Sequence, residues 1–330
     1  MDLNRLVSKD FRGCAMVCVD GKTIFEGAYG YADLPNQLPN QLGTRFATAS
    51  AGKVFVAVGI LQLVERGRLA LNDAIGDVLK LDLHQIDPTV TVEELLTHTS
   101  GIPDYFDESV MEEYEELWTD FPNYKIRTNR DLLPLFIHKP MMYPRKNRFQ
   151  YNNAGFVLLA LILEELTGQA FDEYLAQHVF LPCGMERTGY YELDRLPARC
   201  AANYILDEAR GGYRTNIFSV DAKGTGAGGA FTTLADIRLF WEGLLANRLL
   251  APQTTAAMLQ NHSGEASCYG YGIWLEKEGD ALIPYFQGSD SGVSFVSRCD
   301  PAKKQLITLV SNFGDNVWAL QKKIVECLAQ

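Results

Sequence analysis

Two kinds of hydrophobic spacing divide this chain. Near the ends, apolar residues run in short β-branched or alternating stretches. The middle carries apolar segments of helical length. Cys14–Asp20 and Thr23–Tyr31 read as two strands around a tight turn at Gly21-Lys22. From Tyr269 the texture changes, and Tyr271–Lys277, Ala281–Gln287, Gly292–Arg298 and Gln305–Ser311 read as four successive strands. A last helix, from about Asn316 to Leu328, closes the chain. Short hairpin connections make the late strands antiparallel. The two N-terminal strands are expected to join the same sheet, with helices on its faces.

Between these ends, Ser50 to about Arg66 reads as an almost wholly apolar helix, ended by the turn Gly67–Asp73. Phe156–Leu166 is a second strongly apolar helix, stopped at Thr167-Gly168. Thr232–Trp241 begins a third, with Thr233 and Asp236 spaced like a capping box. Residues 90–200 read as mainly helical with long loops. The expected architecture is α/β of the α+β type. One catalytic domain holds an antiparallel sheet flanked by helices (about 1–70 and 215–330) and a mainly helical lobe (about 71–214), with a cleft between them.

A helix that is apolar all round belongs in a core, and from Ser50 to Leu61 its only charge is Lys53. A buried lysine needs a partner or a task, because desolvation disfavours its ammonium form. Three residues of helix bring Ser50 and Lys53 to one face. The pair reads as a nucleophile with its base beside it. Tyr151-Asn152-Asn153-Ala154-Gly155 stands just before the second apolar helix. Its plain reading is an asparagine N-cap, with Asn153 in that role; its functional reading turns a tyrosine and an amide into the cleft.

Composition narrows the partners. With 330 residues and 47% hydrophobic content the chain can bury a large core, and a net charge of −11 without any basic run argues against nucleic acid. No apolar run reaches membrane-spanning length, and the N-terminus shows no apolar leader core. The seven cysteines form no C-x-x-C pair. Cys14 and Cys18 would share one strand face, roughly 13 Å apart, too far to bridge. A cytoplasmic protein with reduced thiols is expected. The five histidines are too scattered for a metal site. His98 reads as structural, and the acidic run Asp107–Glu116 as a solvated helix face. Gly224-Thr-Gly226-Ala-Gly-Gly229 has dinucleotide-loop spacing but no surrounding βαβ unit. It reads as a glycine loop passing close to ligand or to the nucleophile helix. No cofactor is expected.

Together these segments resemble the serine β-lactamase and penicillin-binding superfamily, closest to class C β-lactamases, DD-peptidases and β-lactamase-like esterases. Phe46-x-x-Ala49-Ser50-x-x-Lys53 looks like the first family motif, Leu95–Pro103 like a signature loop, and Tyr151-Asn152-Asn153 like the second motif. The resemblance implies that Ser50 forms an acyl-enzyme and that Lys53 and Tyr151 share the base work, with Tyr151 pushed towards phenolate. It implies that Asn153 bonds the substrate amide, and that the Ser50 N–H supplies half of an oxyanion hole. The third motif falls on Phe286-Gln287-Gly288-Ser289, where relatives carry lysine or histidine at the position of Phe286. Gly288 permits close backbone approach, and the Ser289 N–H completes the oxyanion hole. The missing cation predicts poor capture of carboxylate-bearing β-lactams. The expected partner is a small-molecule or peptide-like substrate. Three readings stay open: a penicillin-binding-like hydrolase or peptidase acting on an amide, a short-chain carboxylesterase, and a non-catalytic ligand-binding or sensor protein that retains the cleft.

Overall fold

The computed structural model describes residues 3–7, 10–264 and 267–330. Its main sheet has six strands: β1 (Gly13–Val19), β2 (Lys22–Tyr29), β3 (Trp274–Glu278), β4 (Ala281–Asp290), β5 (Val293–Asp300) and β6 (Gln305–Ser311). Their order is β2-β1-β6-β5-β4-β3. All neighbours are antiparallel. The two ends of the chain meet inside the sheet, where Gly13 of β1 lies opposite Ser311 of β6 and Val19 opposite Gln305.

Strand alternation explains why both sheet faces are apolar. Cys14, Met16 and Cys18 point into the large core, which also holds helices α1 (Lys53–Glu65), α2 (Asn153–Thr167) and α3 (Leu234–Leu245). Ala15 and Val17 point the other way, where they pack with Ile307 and Leu309 beneath helix α4 (Val317–Leu328). A sheet covered by helices on both faces needs apolar side chains at consecutive positions. All seven cysteines are unbridged.

Three expected boundaries shift. The apolar helix begins at Lys53, and Ser50 rides on a single 3-10 turn, Ala49–Gly52, in front of it. Helix α2 starts at Asn153 because Asn152, not Asn153, caps it: Asn152 Oδ1 accepts from the Gly155 N–H at 2.8 Å. Strand β3 starts at Trp274 because Gly272, at φ +71°, turns the preceding chain onto Ala57. At the third helix Thr233 does cap, its side chain accepting from the Asp236 N–H at 3.2 Å. The stretch 90–200 holds fewer helical turns than its composition suggests; apart from α2 and a helical run at Phe171–Cys183 that passes through a π turn, it is short helices joined by loops. Helix α1 packs on α2, and the tip of β4 crosses the turn that carries Ser50. Among the described residues no single helix is long and apolar enough to cross a membrane.

Candidate active site

The turn carrying Ser50 is clamped from two sides at backbone distance. A Cβ on Gly288 would stand 2.2 Å from Thr48 O and 2.6 Å from Ser50 N, and one on Gly228 2.4 Å from Ala49 O. Only glycine lets β4 and the glycine loop lie so close. Ala49 itself is left-handed, at φ +47°. That conformation costs an alanine roughly 1–2 kcal/mol. The Gly229 N–H holds it by bonding the Ala49 carbonyl at 3.0 Å. The glycine loop is thus a support for the nucleophile turn.

Lys53 is buried and fully bonded. Its Nζ donates to Ser50 Oγ at 2.9 Å, to Asn153 Oδ1 at 2.8 Å and to the Ala227 carbonyl. Burial lowers its pKa to about 8, although Glu108, Asp104, Asp290 and Asp221 pull the other way. Tyr151 meets the amine through its ring, whose centroid is 4.9 Å from Nζ. The ring stands between the His98 imidazole (4.5 Å) and Trp274 (5.8 Å). Ser50, Lys53, Tyr151 and Asn153 therefore converge.

Two expected roles change. Tyr151 is not eased towards phenolate. Burial first, then Tyr269 and Glu108, hold its pKa well above the ordinary tyrosine value, with Ser50 acting weakly in opposition. Asn153 lines the cleft, but its amide is engaged inside the protein. Its oxygen holds Lys53, and its Nδ2 points to Asp104 Oδ2 (3.4 Å) and the Phe106 carbonyl (3.3 Å).

The third-motif strand runs from core to cleft. Gln287, Gly288 and Ser289 line the cleft, with Gln287 Oε1 accepting from Trp318 Nε1 at 2.6 Å. Phe286 does not. It is 2% exposed and packs on Phe55, Phe240, Trp241 and Phe295, with ring centroids 5.2–6.4 Å away. It shares its strand face with Gly288, and beyond Gly288 that face meets helix α1, not solvent. The substrate contact expected of Phe286 is therefore corrected to a core contact. Phe286→Ala should lose about 3–5 kcal/mol in chemical denaturation. Phe286→Lys should destabilise at least as much without gaining penicillin reactivity, since its charge would enter the aromatic core.

Sequence reasoning missed Asp104. Its carboxylate accepts the N–H groups of Asn153 (2.7 Å) and Ala154 (3.0 Å), so it fixes the first turn of α2 and with it the amide that holds Lys53. No spacing signal marks it. His98 is structural, as expected. Its Nδ1 accepts the Asn152 N–H at 3.1 Å, and burial keeps the ring neutral. The acidic run does more than solvate a helix. It forms a loop and one 3-10 turn in which Glu108, Glu112 and Glu113 line the cleft and Glu115 pairs with Arg214 at 2.8 Å.

The cleft has a volume of ≈ 800 Å³. Asp221 and Asp290 also line it. Burial, then Asp290, raises Asp221 to about 7. Burial, resisted by Lys53 and aided by Glu108, raises Asp290 to about 7. Such folded-state pKa values lie above the unfolded value of 3.8, so the folded protein binds extra protons between about pH 4 and 7. Each carboxylate is therefore a liability that grows as pH rises. Asp221→Asn should raise the melting temperature at pH 8 and change it little at pH 4; an equal shift at both pH values would contradict this. Among the described residues no group of three His, Cys, Asp or Glu is arranged to hold a metal ion.

The sequence profile of the Beta-lactamase family matches residues 4–322. The chain belongs to that family. It is accordingly a serine hydrolase acting on amide or ester bonds. A penicillin-binding protein from Bacillus halodurans shares its fold with a TM-score of 0.94 and 36% identity, covering 99% of this chain and 100% of that one. A penicillin-binding protein of Bacillus subtilis (strain 168) is 26% identical over 324 residues, 92% of this chain and 69% of that protein. A D-amino acid amidase from Ochrobactrum anthropi SV3 has a TM-score of 0.80 over 99% of this chain and 97% of its own, at 22% identity, a likeness of fold.

Proposed function

We propose that the protein cleaves an amide or ester through an acyl-enzyme on Ser50, with Lys53 as base and Tyr151 as proton carrier. The observation that carries this reading is the set of partners around the Lys53 amine. Asn153 Oδ1 and the Ala227 carbonyl can only accept, so they take two N–H groups of a neutral amine. Its lone pair then faces Ser50 Oγ at 2.9 Å and can receive the hydroxyl proton.

In this reading Ser50 Oγ bonds to the substrate carbonyl carbon as its proton passes to Lys53. The carbonyl oxygen gathers negative charge against the N–H groups of Ser50 and Ser289. The tetrahedral species collapses with cleavage of the bond to the leaving nitrogen or oxygen, which receives the proton through Tyr151. Water then attacks the acyl group, gives its proton to the same base, and the acid departs as Ser50 is restored. A high Tyr151 pKa suits this task, because the phenol must arrive protonated at the leaving group.

The substrate is an amide or ester without a carboxylate beside the scissile bond. Among the described residues no lysine or arginine lines the cleft, while five carboxyl side chains do. Lys223, the nearest candidate in sequence for an anion-binding cation, is engaged by Asp172 at 2.6 Å. Intact-protein mass after exposure to a fluorophosphonate, a short neutral ester and a penicillin tests the reading. We expect one adduct from each of the first two and slow labelling by penicillin. Failure of both neutral reagents to label Ser50 would refute it.

A further inference from the structure

Building on the acyl-enzyme reading of Ser50, we infer that Gln287, oriented by Trp318, selects the substrate: its Nε2 donates to a second, uncharged carbonyl oxygen a few bonds from the scissile one. The chemical class is a neutral ester or amide that bears a further ketone, ester or amide carbonyl.

The argument begins with which end of the Gln287 amide faces the cleft. Trp318 Nε1 donates to Gln287 Oε1 at 2.6 Å. An indole N–H can only donate, so the amide oxygen must meet it and the NH₂ group must point away. The reversed amide would set two donors against each other. Trp318 is itself held in place. It stands in the first turn of α4, which Asn316 caps by accepting from the Ala319 N–H at 2.9 Å. Its ring also packs on the core beneath α4.

The second observation is that this NH₂ group is unused and reachable. Among the described residues Nε2 finds no acceptor, yet it is not sealed in: Gln287 is half-buried and lines the cleft. The sheet leaves room for a ligand there. β3 covers the edge of β4 only from Ala281 to Tyr285, so that edge is open from Phe286 onward. The next residue, Gly288, lies against the turn of Ser50, which keeps Gln287 close to the nucleophile. Trp274, opposite Tyr285 on β3, and Trp318 both line the cleft. Indole surface excludes water, and a hydrogen bond is stronger where water is excluded.

These donors are neutral, and that sets the chemistry of the acceptor. A carboxylate placed there would shed its hydration without gaining a counter-charge, in a cleft whose five charged lining side chains are all carboxyl groups. An uncharged carbonyl oxygen loses less hydration and accepts the same N–H groups. A tie between β4 and α4 uses only the amide oxygen; the NH₂ group is what the tie leaves over.

Two ester series test the selection, since the second carbonyl can stand on the acyl or the alcohol side. Ethyl pentanoate, ethyl 4-oxopentanoate and monoethyl succinate carry no acceptor, a ketone and a carboxylate at one acyl position. Pentyl acetate, 4-oxopentyl acetate and 4-acetoxybutanoate do the same on the alcohol side. Hydrolysis followed by proton NMR gives kcat/KM for each. In at least one series the ketone ester should exceed its alkyl analogue by about three- to tenfold, the worth of a neutral hydrogen bond, with the carboxylate ester slowest. Gln287→Leu should bring that ratio to about one. Trp318→Phe keeps an aromatic wall but releases the amide, and should lower the ratio by about twofold or more. Melting curves accompany both variants, because a purely structural tie would move the melting temperature and leave the ratio alone. A ratio near one in both series, a carboxylate ester favoured over the ketone, or a ratio that either variant leaves unchanged overturns the inference. Where no ester turns over, dissociation constants from ligand-detected NMR on Ser50→Ala protein give the same ratios and decide it in the same way. Labelling of Ser50 by a neutral fluorophosphonate is read separately. A labelled Ser50 with a ratio near one sinks the selection alone. A clear ratio of dissociation constants with Ser50 unlabelled sinks the catalytic reading and leaves the selection standing.

Discussion

Ser50→Ala protein is expected to fold, to take no label from a fluorophosphonate or an ester, and to lose turnover by a factor on the order of 10⁴–10⁶. Removal of a nucleophile has this scale because every later step depends on the acyl bond. The fold should survive. Ser50 is half-buried and its hydroxyl bonds the side chains of Lys53 and Tyr151, so the change costs about 1–2 kcal/mol. The clamped backbone of the turn does not depend on the hydroxyl, since Gly288 and Gly228 hold it by contacts to Thr48, Ala49 and the Ser50 main chain. Intact-mass spectrometry with peptide mapping gives the answer. Labelling that persists in the variant at another serine would end the assignment of Ser50.

Loss of Lys53 should be the next largest effect, about 10²–10⁴-fold in kcat/KM for Lys53→Ala. Lys53→Arg should not rescue, because the guanidinium keeps its proton and cannot act as a base. The pH profile supplies the sign. Burial brings the folded Lys53 pKa down to about 8. The active neutral form is then roughly a tenth of the total at pH 7 and gains about tenfold per unit below pH 8. kcat/KM should therefore rise with pH and level off above about 8. A rate that is flat between pH 6 and 8 would show that another group takes the proton. Lys53→Met separates chemistry from stability, since it fills similar volume. Lys53→Ala and Lys53→Met leave Asn153 Oδ1 and the Ala227 carbonyl without their donor, so each needs a melting curve beside its rate.

Much of the architecture is legible in local spacing. Period-two and period-3.6 spacing marks the six strands and the long helices to within a few residues, because side-chain burial on a strand or a helix repeats with the backbone. One charge in an apolar helix identified Lys53, and its spacing identified Ser50; both signals are local. The glycine loop was legible as a close backbone approach, though its partner, the Ala49 carbonyl, was not.

The remaining features depend on long-range packing. Asp104, Asn203 and Asp221 come from distant stretches, and nothing in their neighbours marks Asn203 and Asp221 as lining the cleft or Asp104 as the support of Asn153. The direction of Phe286 was equally hidden. Alternation fixes that Phe286 and Gly288 share a face, but the packing of α1 and α3 against β4 decides which part of that face is core. Tyr151 was misread for the same reason. A neighbouring ammonium favours phenolate, yet burial between His98 and Trp274 outweighs it, and burial is a property of the packed molecule. Local spacing records what the backbone repeats. Desolvation and charge depend on which distant side chains the fold brings together.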